Sequence, residues 1–516
     1  MKKTINNFNR VLCALLLCAG MVMTSCEETN PVDDNKTEQG GNENNSNEGG
    51  DENSGNGNEG GENTGGEEDK GPATLTLGKV TETTATFTGH LDVAASDLSF
   101  SQVTVYYSDA ETFNMNAAES VSATSFDKDQ NFTITLTNLK YNTKYNYCMV
   151  AEVKSEKTYG DVLDFTTLKH PYDIQHDLNV SAAKDMSSSG SANCYIVSES
   201  GLYKFKTVKG NSNESVGNIA SASILWETFG TDTAPELFDL ISGFCYMDGC
   251  IAFQTADTFK EGNAVIAAKD ANGNILWSWH IWFTDKPKEQ VYYNNAGTMM
   301  DRNLGATSAT PGDVGALGLL YQWGRKDPFL GSSSISRSTD ARSTITWPSE
   351  VESDSSTGTI AYATANPTTF IMYNDKNEDW YYTGSSSTDN TRWTTSDKAK
   401  SIYDPCPVGW RVPDGDSWSK ALDSSSSTES SLYSSTNKGM NFSGRFGSAS
   451  TIWYPTSGYR NGNDGSLSDV GFYGYCWSAY PSYNYAYYLL FRYDGVVNPS
   501  RGSNRAGGRS VRCLQE

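Results

Sequence analysis

The sequence predicts a multidomain protein whose folded part, residues 73–516, is built mainly from β-strands. Apolar and polar residues alternate with the period of strands that have one buried face, in Ala85–Gly89, Gln102–Tyr107 and Phe132–Leu136. Tyrosine is concentrated near the end of the chain, where 10 of the 29 tyrosines lie between positions 454 and 493. A stretch rich in Tyr, Asn, Ser and Gly is typical of a binding surface, because buried cores prefer aliphatic residues.

The N-terminus, residues 1–25, predicts a signal peptide. Basic residues at positions 2, 3 and 10 precede the apolar run Val11–Met23, which is too short for a comfortable membrane span. The run leads into Thr24-Ser25-Cys26, which resembles a bacterial lipoprotein box. That resemblance implies cleavage before Cys26 and acylation of this cysteine; an ordinary signal peptide with a coincidental cysteine is the alternative. No later apolar run approaches about 18 residues, so we expect the lipid to be the membrane anchor.

Residues 26–72 are predicted to form a disordered tether. Positions 27–70 contain no aromatic residue, and such a composition cannot bury enough surface to offset chain entropy. Their 14 acidic and two basic residues give −12 of the whole chain's net charge of −23, and like charges extend a linker. The acidic balance argues against a nucleic-acid partner. Glu27 and Glu28 resemble the export signal of Bacteroidetes lipoproteins, which implies exposure on the outer membrane.

Seven of the ten cysteines remain once the two in the signal peptide and the lipidated one are set aside. An odd number leaves at least one free thiol. Cys406 and Cys513 bracket the last module, and they are the pair that we expect to form a disulfide in an oxidising envelope. The sequence has four histidines and no Cys/His cluster at metal spacing, so we expect no metal site.

Residues 73–168 are predicted to form one β-sandwich. The segment Leu139–Tyr147 precedes an alternating strand that ends in Phe165-Thr166-Thr167. This pattern resembles the last strands of a fibronectin type III domain, and Tyr145 resembles its corner tyrosine. Modules of this family are mostly spacers.

Residues 172–290 are predicted to form a second β-rich domain, with a hairpin turn at Asp270–Asn274. Its last strand, Ile275–Trp282, carries alternating tryptophans. If Trp277 and Trp279 were exposed, they could stack on a sugar ring. We favour the alternative, in which they fill a sandwich core or an interdomain seam, and we expect His280 to be packed and hydrogen-bonded.

The last part, residues 295–516, contains several spaced motifs. They are Met300–Ala306, Gly318–Phe329, Asp404–Pro413 and Gly507–Cys513. Their order closely resembles the Fibrobacter succinogenes major paralogous domain, which is common in lipoproteins of gut Bacteroidetes. The resemblance implies a C-type-lectin-like α+β fold with long loops and adjacent termini. We also predict a short helix around Ser417–Leu422, a buried strand at Tyr488–Phe491 and a last strand at Arg509–Cys513.

The sequence gives little support to catalysis. The Glu-Pro-Asn, Gln-Pro-Asp and Trp-Asn-Asp runs of calcium-dependent lectins do not occur in it, and neither do nucleophile-elbow, phosphate-loop or zinc-protease motifs. Formylglycine-generating enzymes share the lectin-like scaffold, but Cys476 has no basic neighbour close in sequence to lower its pKa. We therefore expect neither an enzyme nor a cofactor.

Four charged residues lie inside the family motifs. As ligand contacts they would be exposed, whereas in structural ion pairs they would be buried and would fix the loops. Because each is embedded in a Gly-, Pro- or Trp-containing packing motif, we favour the structural role for Arg302, Arg325, Asp327 and Arg411.

The ligand is expected to bind to the segment 454–505. This segment resembles the variable regions of lectin-like proteins that are diversified by adenine-specific mutagenesis. The candidate ligand-binding residues are Tyr459, Asn461, Asn463, Tyr473, Tyr475, Tyr480, Tyr483, Asn484, Tyr485, Tyr487 and Tyr493.

Together these features predict a lipid-anchored protein of the cell surface, in which two β spacers carry a lectin-like binding module. Its partner would be an extracellular glycan or protein. The alternatives are a structural or fimbrial component of the surface and, with less support, an enzyme acting on polysaccharide.

Substitution of the predicted lipidation site tests the anchor. Cys26→Ala should release the protein from the membrane fraction, because the mature chain would then lack its acyl groups. Fractionation followed by immunoblotting measures this. The anchor prediction is wrong if the variant remains in the membrane fraction without accumulation of the unprocessed form.

Overall fold

The computed structural model describes residues 71–516 except 374–377, 385–389, 395–396, 398, 424–426, 429 and 483–484. The predictions for the signal peptide, Cys26 and most of the tether lie outside the described residues, as do those for Tyr483 and Asn484. The α-helices are short, α1 (Ile360–Ala365) and α2 (Ser417–Leu422). Within the described ranges, no helix combines the length and the apolar character needed to cross a bilayer.

The first folded part is a sandwich of two antiparallel sheets. Its strands are β1 (Ala73–Val80), β2 (Ala85–Leu91), β3 (Ser101–Ser108), β4 (Glu119–Ala123), β5 (Asn131–Leu136), β6 (Lys144–Val153) and β7 (Glu156–Thr166). One sheet has the order β1-β2-β5 and the other β4-β3-β6-β7. The three segments predicted from alternation fall in β2, β3 and β5, where apolar side chains such as Phe87, Val105 and Ile134 are buried between the sheets. The hydroxyl oxygen of Tyr145 accepts a hydrogen bond from the Lys140 amide at 2.9 Å, the contact that a corner tyrosine makes.

The second part also consists of two packed sheets. Its strands are β8 (Lys184–Asp185), β9 (Cys194–Val197), β10 (Leu202–Lys206), β11 (Ser221–Thr228), β12 (Ile241–Met247), β13 (Cys250–Thr255), β14 (Gly262–Lys269) and β15 (Ile275–Phe283). The sheet orders are β12-β13-β10-β8 and β11-β14-β15-β9. The predicted turn at Asp270–Asn274 joins the antiparallel pair β14 and β15. Trp277 and Trp279 are buried, which confirms the core interpretation and excludes an exposed stacking platform.

The third part has many short strands. They are β16 (Glu289–Tyr292), β17 (Gly297–Met300), β18 (Tyr321–Gln322), β19 (Val351–Glu352), β20 (Ile371–Met372), β21 (Trp410–Arg411), β22 (Ser427–Thr428), β23 (Tyr433–Ser434), β24 (Gly439–Asn441), β25 (Trp453–Pro455), β26 (Tyr459–Arg460), β27 (Leu467–Ser468), β28 (Tyr473–Ser482), β29 (Tyr485–Arg492), β30 (Val496–Asn504), β31 (Gly508–Arg509) and β32 (Leu514–Gln515). Its two ends meet because β17 and β21 both pair with β32. Its first strand, β16, begins before the predicted start at residue 295.

Two predictions for this part need correction. The described residues are almost entirely strand and loop, since α1 and α2 have six residues each, so the expected α+β character is weak. Sequences rich in Ser, Thr, Asn and Gly have low helix propensity, which explains the difference. The strand expected at Arg509–Cys513 is also interrupted. The carbonyls of Ser510, Val511 and Cys513 accept from Trp477, Leu304 and Met300 in turn, so this segment has no single neighbouring strand.

The second and third parts share one hydrophobic core. Trp226 and Trp282 from the second sandwich pack in the same buried cluster as Trp323 and Trp477 from the third part. The indole N–H of Trp282 donates to the Ala306 carbonyl at 3.0 Å across the boundary. The sequence had suggested that residues 172–290 are an independent spacer. Because they share a core with the third part, they are not independent of it. They form part of the body that holds the last module.

The predicted disulfide Cys406–Cys513 is present, with a Cα–Cα distance of 6.0 Å. It joins the loop before β21 to the residue before β32, so it reinforces the pairing of these two strands. Both cysteines are buried. Among the described residues the free thiols are Cys148, Cys194, Cys245, Cys250 and Cys476.

We expect this disulfide to be a major source of stability. The bond spans a sequence separation of 107 residues, and closing a loop of that size contributes about 4–5 kcal/mol in the chain-entropy model. The double variant Cys406→Ser/Cys513→Ser should lose that much in urea unfolding, whereas Cys250→Ser, at a partly exposed free thiol, should change stability little. Peptide mapping that finds both thiols free in the native protein would contradict the assignment.

The buried side chain and backbone of Glu227 connect three segments near the boundary between the second and third parts. The Glu227 side chain accepts hydrogen bonds from the Tyr172 hydroxyl at 2.7 Å and the Ile241 amide at 2.8 Å. Its backbone carbonyl accepts from the Thr344 amide in the third part. Burial raises the pKa of Glu227 to about 7, although these donors favour the ionised form. The folded protein therefore keeps a proton that the unfolded chain releases at lower pH.

This raised pKa predicts a stability that falls as the pH rises. Below the unfolded-state pKa near 4.5, protonated Glu227 makes its full contribution to the free energy of unfolding. That contribution is lost as the pH rises to the folded-state pKa of about 7. Between pH 4.5 and 8 the wild-type unfolding free energy should fall by on the order of 3 kcal/mol more than that of Glu227→Gln. Urea unfolding at both pH values measures this. Glu199→Gln, at an exposed site of the same sandwich, should follow the wild type, and an equal pH dependence in Glu227→Gln would contradict the prediction.

Candidate functional site

The tyrosine-rich segment folds mainly into the antiparallel sheet of β28, β29 and β30. The predicted strand Tyr488–Phe491 lies within β29, and the β28–β29 hairpin closes at the pair Ser482 and Tyr485. Cys476 and Leu489 face a buried cluster and fix the sheet to the body. The long strands therefore present their remaining side chains on a rigid support.

The hairpin tip, which we define as Tyr480, Tyr485 and Tyr487, brings exposed and half-buried tyrosines together at one end of this sheet. The rings of Tyr480 and Tyr487 lie 5.7 Å apart between centroids with an interplanar angle of 22°. Tyr480 is 52% exposed and Tyr485 is 42% exposed. The charge of Glu378 and a hydrogen bond with its carboxylate raise the pKa of Tyr485. The tip thus combines aromatic surface with polar hydroxyl groups.

The position of Tyr480 depends on an irregularity in the sheet. The pairing of β28 with β29 shifts register between Trp477 and Pro481, and a bulge of this kind redirects the side chains that follow it. Trp477 is buried, while Tyr480, three residues later, faces solvent. A regular strand would place these two residues on opposite faces as well, but the bulge brings Tyr480 beside Tyr487.

A cleft of about 760 Å³ opens at the tip. Two loops, helix α2, strand β30 and the tip surround it, with lining residues Asn390, Thr391, Thr394, Asp414, Gly415, Asp416, Lys420, Ala479, Tyr480, Pro481, Tyr487 and Ser500. The loop 414–416 passes so close to the tip that a Cβ on Gly415 would lie 2.6 Å from the Cβ of Tyr480. Only glycine allows this approach. The Ser500 hydroxyl donates to the Gly415 carbonyl at 3.3 Å and holds the loop there.

The carboxylates beside the cleft are paired with cations. Asp414 accepts from both terminal nitrogens of Arg411, at 2.8 and 2.7 Å. Asp416 lies 2.8 Å from the ammonium of Lys420, one turn along α2. The negative charge at this edge is therefore compensated locally, and the carboxylate oxygens remain in a polar, partly exposed position.

Buried ion pairs fix the hairpin tip to the interior of the module. The guanidinium of Arg505 donates to the Tyr485 carbonyl at 3.0 Å and to the Asn390 side chain at 2.5 Å. The same group lies 3.5 Å from the carboxylate of Asp379, which also pairs with Arg392. These three charged side chains are fully buried. Because removing one partner of a buried pair is costly, this cluster couples the cleft wall firmly to the hairpin.

The opposite end of the hairpin carries a separate aromatic group. Phe472 and Tyr493 are exposed and meet edge to face at 5.7 Å, and Tyr473 packs beside them. Tyr473 and Tyr480 are seven residues apart on one strand, which corresponds to about 20 Å. The two ends are therefore too far apart to form one small-ligand site.

Between the two ends, tyrosines enclose a buried arginine. The Arg509 guanidinium lies 4.4 Å from the ring centroid of Trp477, 4.8 Å from that of Tyr488, and 5.4 Å from those of Tyr459 and Tyr475. Burial lowers the pKa of Arg509, while cation–π contacts stabilise its charge. Tyr475 is only 8% exposed, and its hydroxyl donates to Asp469 at 2.9 Å. This cluster stabilises the sheet.

The eleven candidate residues thus occupy different places. Tyr480, Tyr485 and Tyr487 meet at the tip, whereas Tyr473 and Tyr493 lie at the far end. Tyr459 and Tyr475 surround Arg509. The turn between β26 and β27 contains Asn461 and Asn463, close to Asn504. Tyr483 and Asn484 lie outside the described residues.

The cleft also contains residues that the sequence did not single out. Asp414, Gly415 and Asp416 follow directly after the Asp404–Pro413 motif, and Ser500 lies on β30. They come from segments far apart in sequence, so no local pattern connects them. Gly415 is a signal that sequence reading could have used, because Pro413-Asp414-Gly415 is a turn sequence directly at the end of that motif.

The four charged motif residues have structural roles, as predicted. Arg302 is buried and pairs with Asp301 and Asp285. Arg325 is buried and donates to backbone carbonyls, among them that of Thr369 at 2.8 Å. Asp327 pairs with Lys326 at 2.7 Å, and Arg411 pairs with Asp414.

The candidate reactive groups are buried. Burial raises the pKa of the Cys476 thiol to about 12, so a thiolate is strongly disfavoured. His280 is packed and hydrogen-bonded to Asn263 at 2.8 Å, as predicted, and burial lowers its pKa to about 3. Among the described residues, no three His, Cys, Asp or Glu side chains are grouped so as to hold a metal ion.

Similarity to solved structures covers about a fifth of the chain. A short form of the sensor domain of the anti-sigma factor RsgI4 from Pseudobacteroides cellulosolvens is 19% identical with a TM-score of 0.16, covering 20% of this chain and 99% of that one. The chicken interferon gamma receptor alpha chain is 7% identical with a TM-score of 0.16, covering 19% of this chain and half of that one. No protein-family model and no curated protein matches the sequence. The function is therefore inferred from the geometry of the site.

Proposed function

We propose that this chain is a lipid-anchored protein of the bacterial cell surface that captures an extracellular ligand at its hairpin tip. The observation that carries the proposal is a cleft lined by Tyr480 and Tyr487, with the exposed Tyr485 on the same hairpin tip, whose wall is fixed by buried ion pairs. Tyrosine supplies a large contact area at low entropic cost. A rigid support reduces the cost of binding further, because little has to be ordered.

In this proposal, the remaining parts of the chain hold the hairpin tip away from the membrane surface. Cys26 carries the lipid, the acidic tether spans the space above the outer membrane, and the first sandwich is a fibronectin type III-like spacer. The corner contact of Tyr145 supports that assignment. The last module is a C-type-lectin-like Fibrobacter succinogenes major paralogous domain. The pairing of its two ends and the Cys406–Cys513 disulfide support this resemblance.

Alanine substitutions at the tip test the proposal. Tyr480→Ala, Tyr485→Ala and Tyr487→Ala should each weaken adhesion of cells that display the protein to immobilised mucin or to other bacterial cells. Removal of a central interface tyrosine typically costs about 2 kcal/mol, or roughly 30-fold in affinity. The melting temperature of the purified variants should change little, because these side chains are exposed or half-buried.

Two controls separate binding from folding. Tyr493→Ala removes a tyrosine of nearly the same exposure, 50%, at the far end of the hairpin and should leave adhesion unchanged. Leu489→Ala removes a fully buried side chain and should destabilise the module by about 2–5 kcal/mol. Adhesion that persists in all three tip variants, or unfolding caused by each of them, would contradict the proposal.

A further inference from the structure

The chemistry of the cleft indicates a class of ligand, on the premise that the tip is the binding surface proposed above. Two features of the lining restrict that class. One is the aromatic surface formed by Tyr480 and Tyr487, whose rings are nearly parallel. The other is the surrounding shell of hydroxyl, amide and carboxylate groups. A ligand that fills the cleft has to complement both features.

The aromatic surface is suited to a flat apolar face of moderate size. The face of an aromatic ring carries partial negative charge and attracts polarised C–H groups. Half of the Tyr480 side chain is exposed, so its ring is available to such a partner. Pyranose rings offer a face of axial C–H groups, with their hydroxyls directed outward around the edge.

The shell around this surface is rich in hydrogen-bonding groups. Asp414, Asp416 and Ser500 line the cleft, and the loop 390–394 adds an amide and two threonines. Carboxylates accept from hydroxyl groups strongly, because hydrogen bonds to a charged group are stronger than those between neutral groups. Outward hydroxyls of a sugar on the aromatic surface would meet this shell.

The same lining disfavours peptides and anions. Apart from the tyrosines, the described lining residues with apolar side chains are Ala479 and Pro481. Protein interfaces usually place large apolar or arginine anchors into dehydrated pockets, and this polar cleft offers no such pocket among the described residues. The cations near the rim are engaged with Asp414 and Asp416. An anionic ligand would therefore face two carboxylates whose cations are already paired.

We propose that the cleft binds a neutral saccharide, with one pyranose ring on the Tyr480–Tyr487 surface and its hydroxyls bonded to the polar shell. The volume of about 760 Å³ is within the range of small-ligand sites, so it admits a short oligosaccharide segment. The rigid attachment of the tip makes the site largely pre-formed.

The test uses the full-length chain, purified in detergent, on an array of printed saccharides and peptides. The array carries neutral mannan, galactan, xylan and glucan oligosaccharides, uronic-acid and sulfated polysaccharides, and a random peptide set. Binding to at least one neutral saccharide is expected. Tyr480→Ala should reduce that binding by roughly tenfold or more, while Tyr480→Phe, which keeps the ring, should retain most of it. Tyr493→Ala should bind like the wild type.

Several results would overturn the saccharide inference. They are binding to anionic polysaccharides or peptides alone, the absence of any bound neutral saccharide, and neutral binding that Tyr480→Ala leaves unchanged while its melting temperature matches the wild type. If Tyr480→Ala fails to fold, Asp416→Ala replaces it, because it removes a rim acceptor from an exposed helix start. If the saccharide inference fails but cell adhesion still depends on the tip tyrosines, the proposed function stands and only the class of ligand is wrong. If neither assay depends on the tip tyrosines, both the proposed function and the saccharide inference are wrong.

Discussion

The structure depends on buried tryptophans whose indole N–H groups donate to loop carbonyls. Trp282 bonds to Ala306, Trp380 to Trp323 and Trp393 to Arg325, at 2.8–3.0 Å. In a module with few long strands, much of the backbone has no ladder partner and must be satisfied in another way. The indoles supply both the apolar volume that fills the core and the donors that fix the loops. They also tie the second sandwich to the last module, so that the two fold around one interior.

This interior positions the hairpin tip. Trp323 packs against the guanidinium of Arg505 at 4.5 Å, and Arg505 in turn holds the backbone of Tyr485. A continuous set of contacts therefore runs from the shared core to the tip. Long surface loops are usually mobile, but here the cleft wall at Asn390 is bonded to a buried charge. The site gains precision from residues that never touch solvent.

Much of the fold could be predicted from sequence, because local patterns have local causes. Alternation located β2, β3 and β5, the turn at Asp270–Asn274 located a hairpin, and the bracketing cysteines located the disulfide. The boundary near residue 290 could not be predicted. A buried Trp282 has the same pattern whether it fills its own sandwich or a shared core, and only the tertiary structure distinguishes the two.

The site was predicted less completely, for two physical reasons. Bulges in β28 and β29 shift the strand register, so spacing alone could not predict that Tyr480 lies beside Tyr487. The role of tyrosine as a partner of a buried arginine was also hidden, because Arg509 finds its aromatic neighbours across three strands. Composition pointed to the segment as a candidate, and packing decided which of its members face solvent.

The origin of the cleft from distant segments has a consequence for how the protein can evolve. Tyr480 and Tyr487 lie in the tyrosine-rich stretch, whereas Asp414, Asp416 and Lys420 lie some 60 residues earlier. Sequence change confined to the late segment would exchange the tyrosines and Ser500 and would leave Asp414, Asp416 and the loop 390–394 unchanged. Such change would alter the preference among related ligands. The polar contacts made by residues outside the late segment would stay the same.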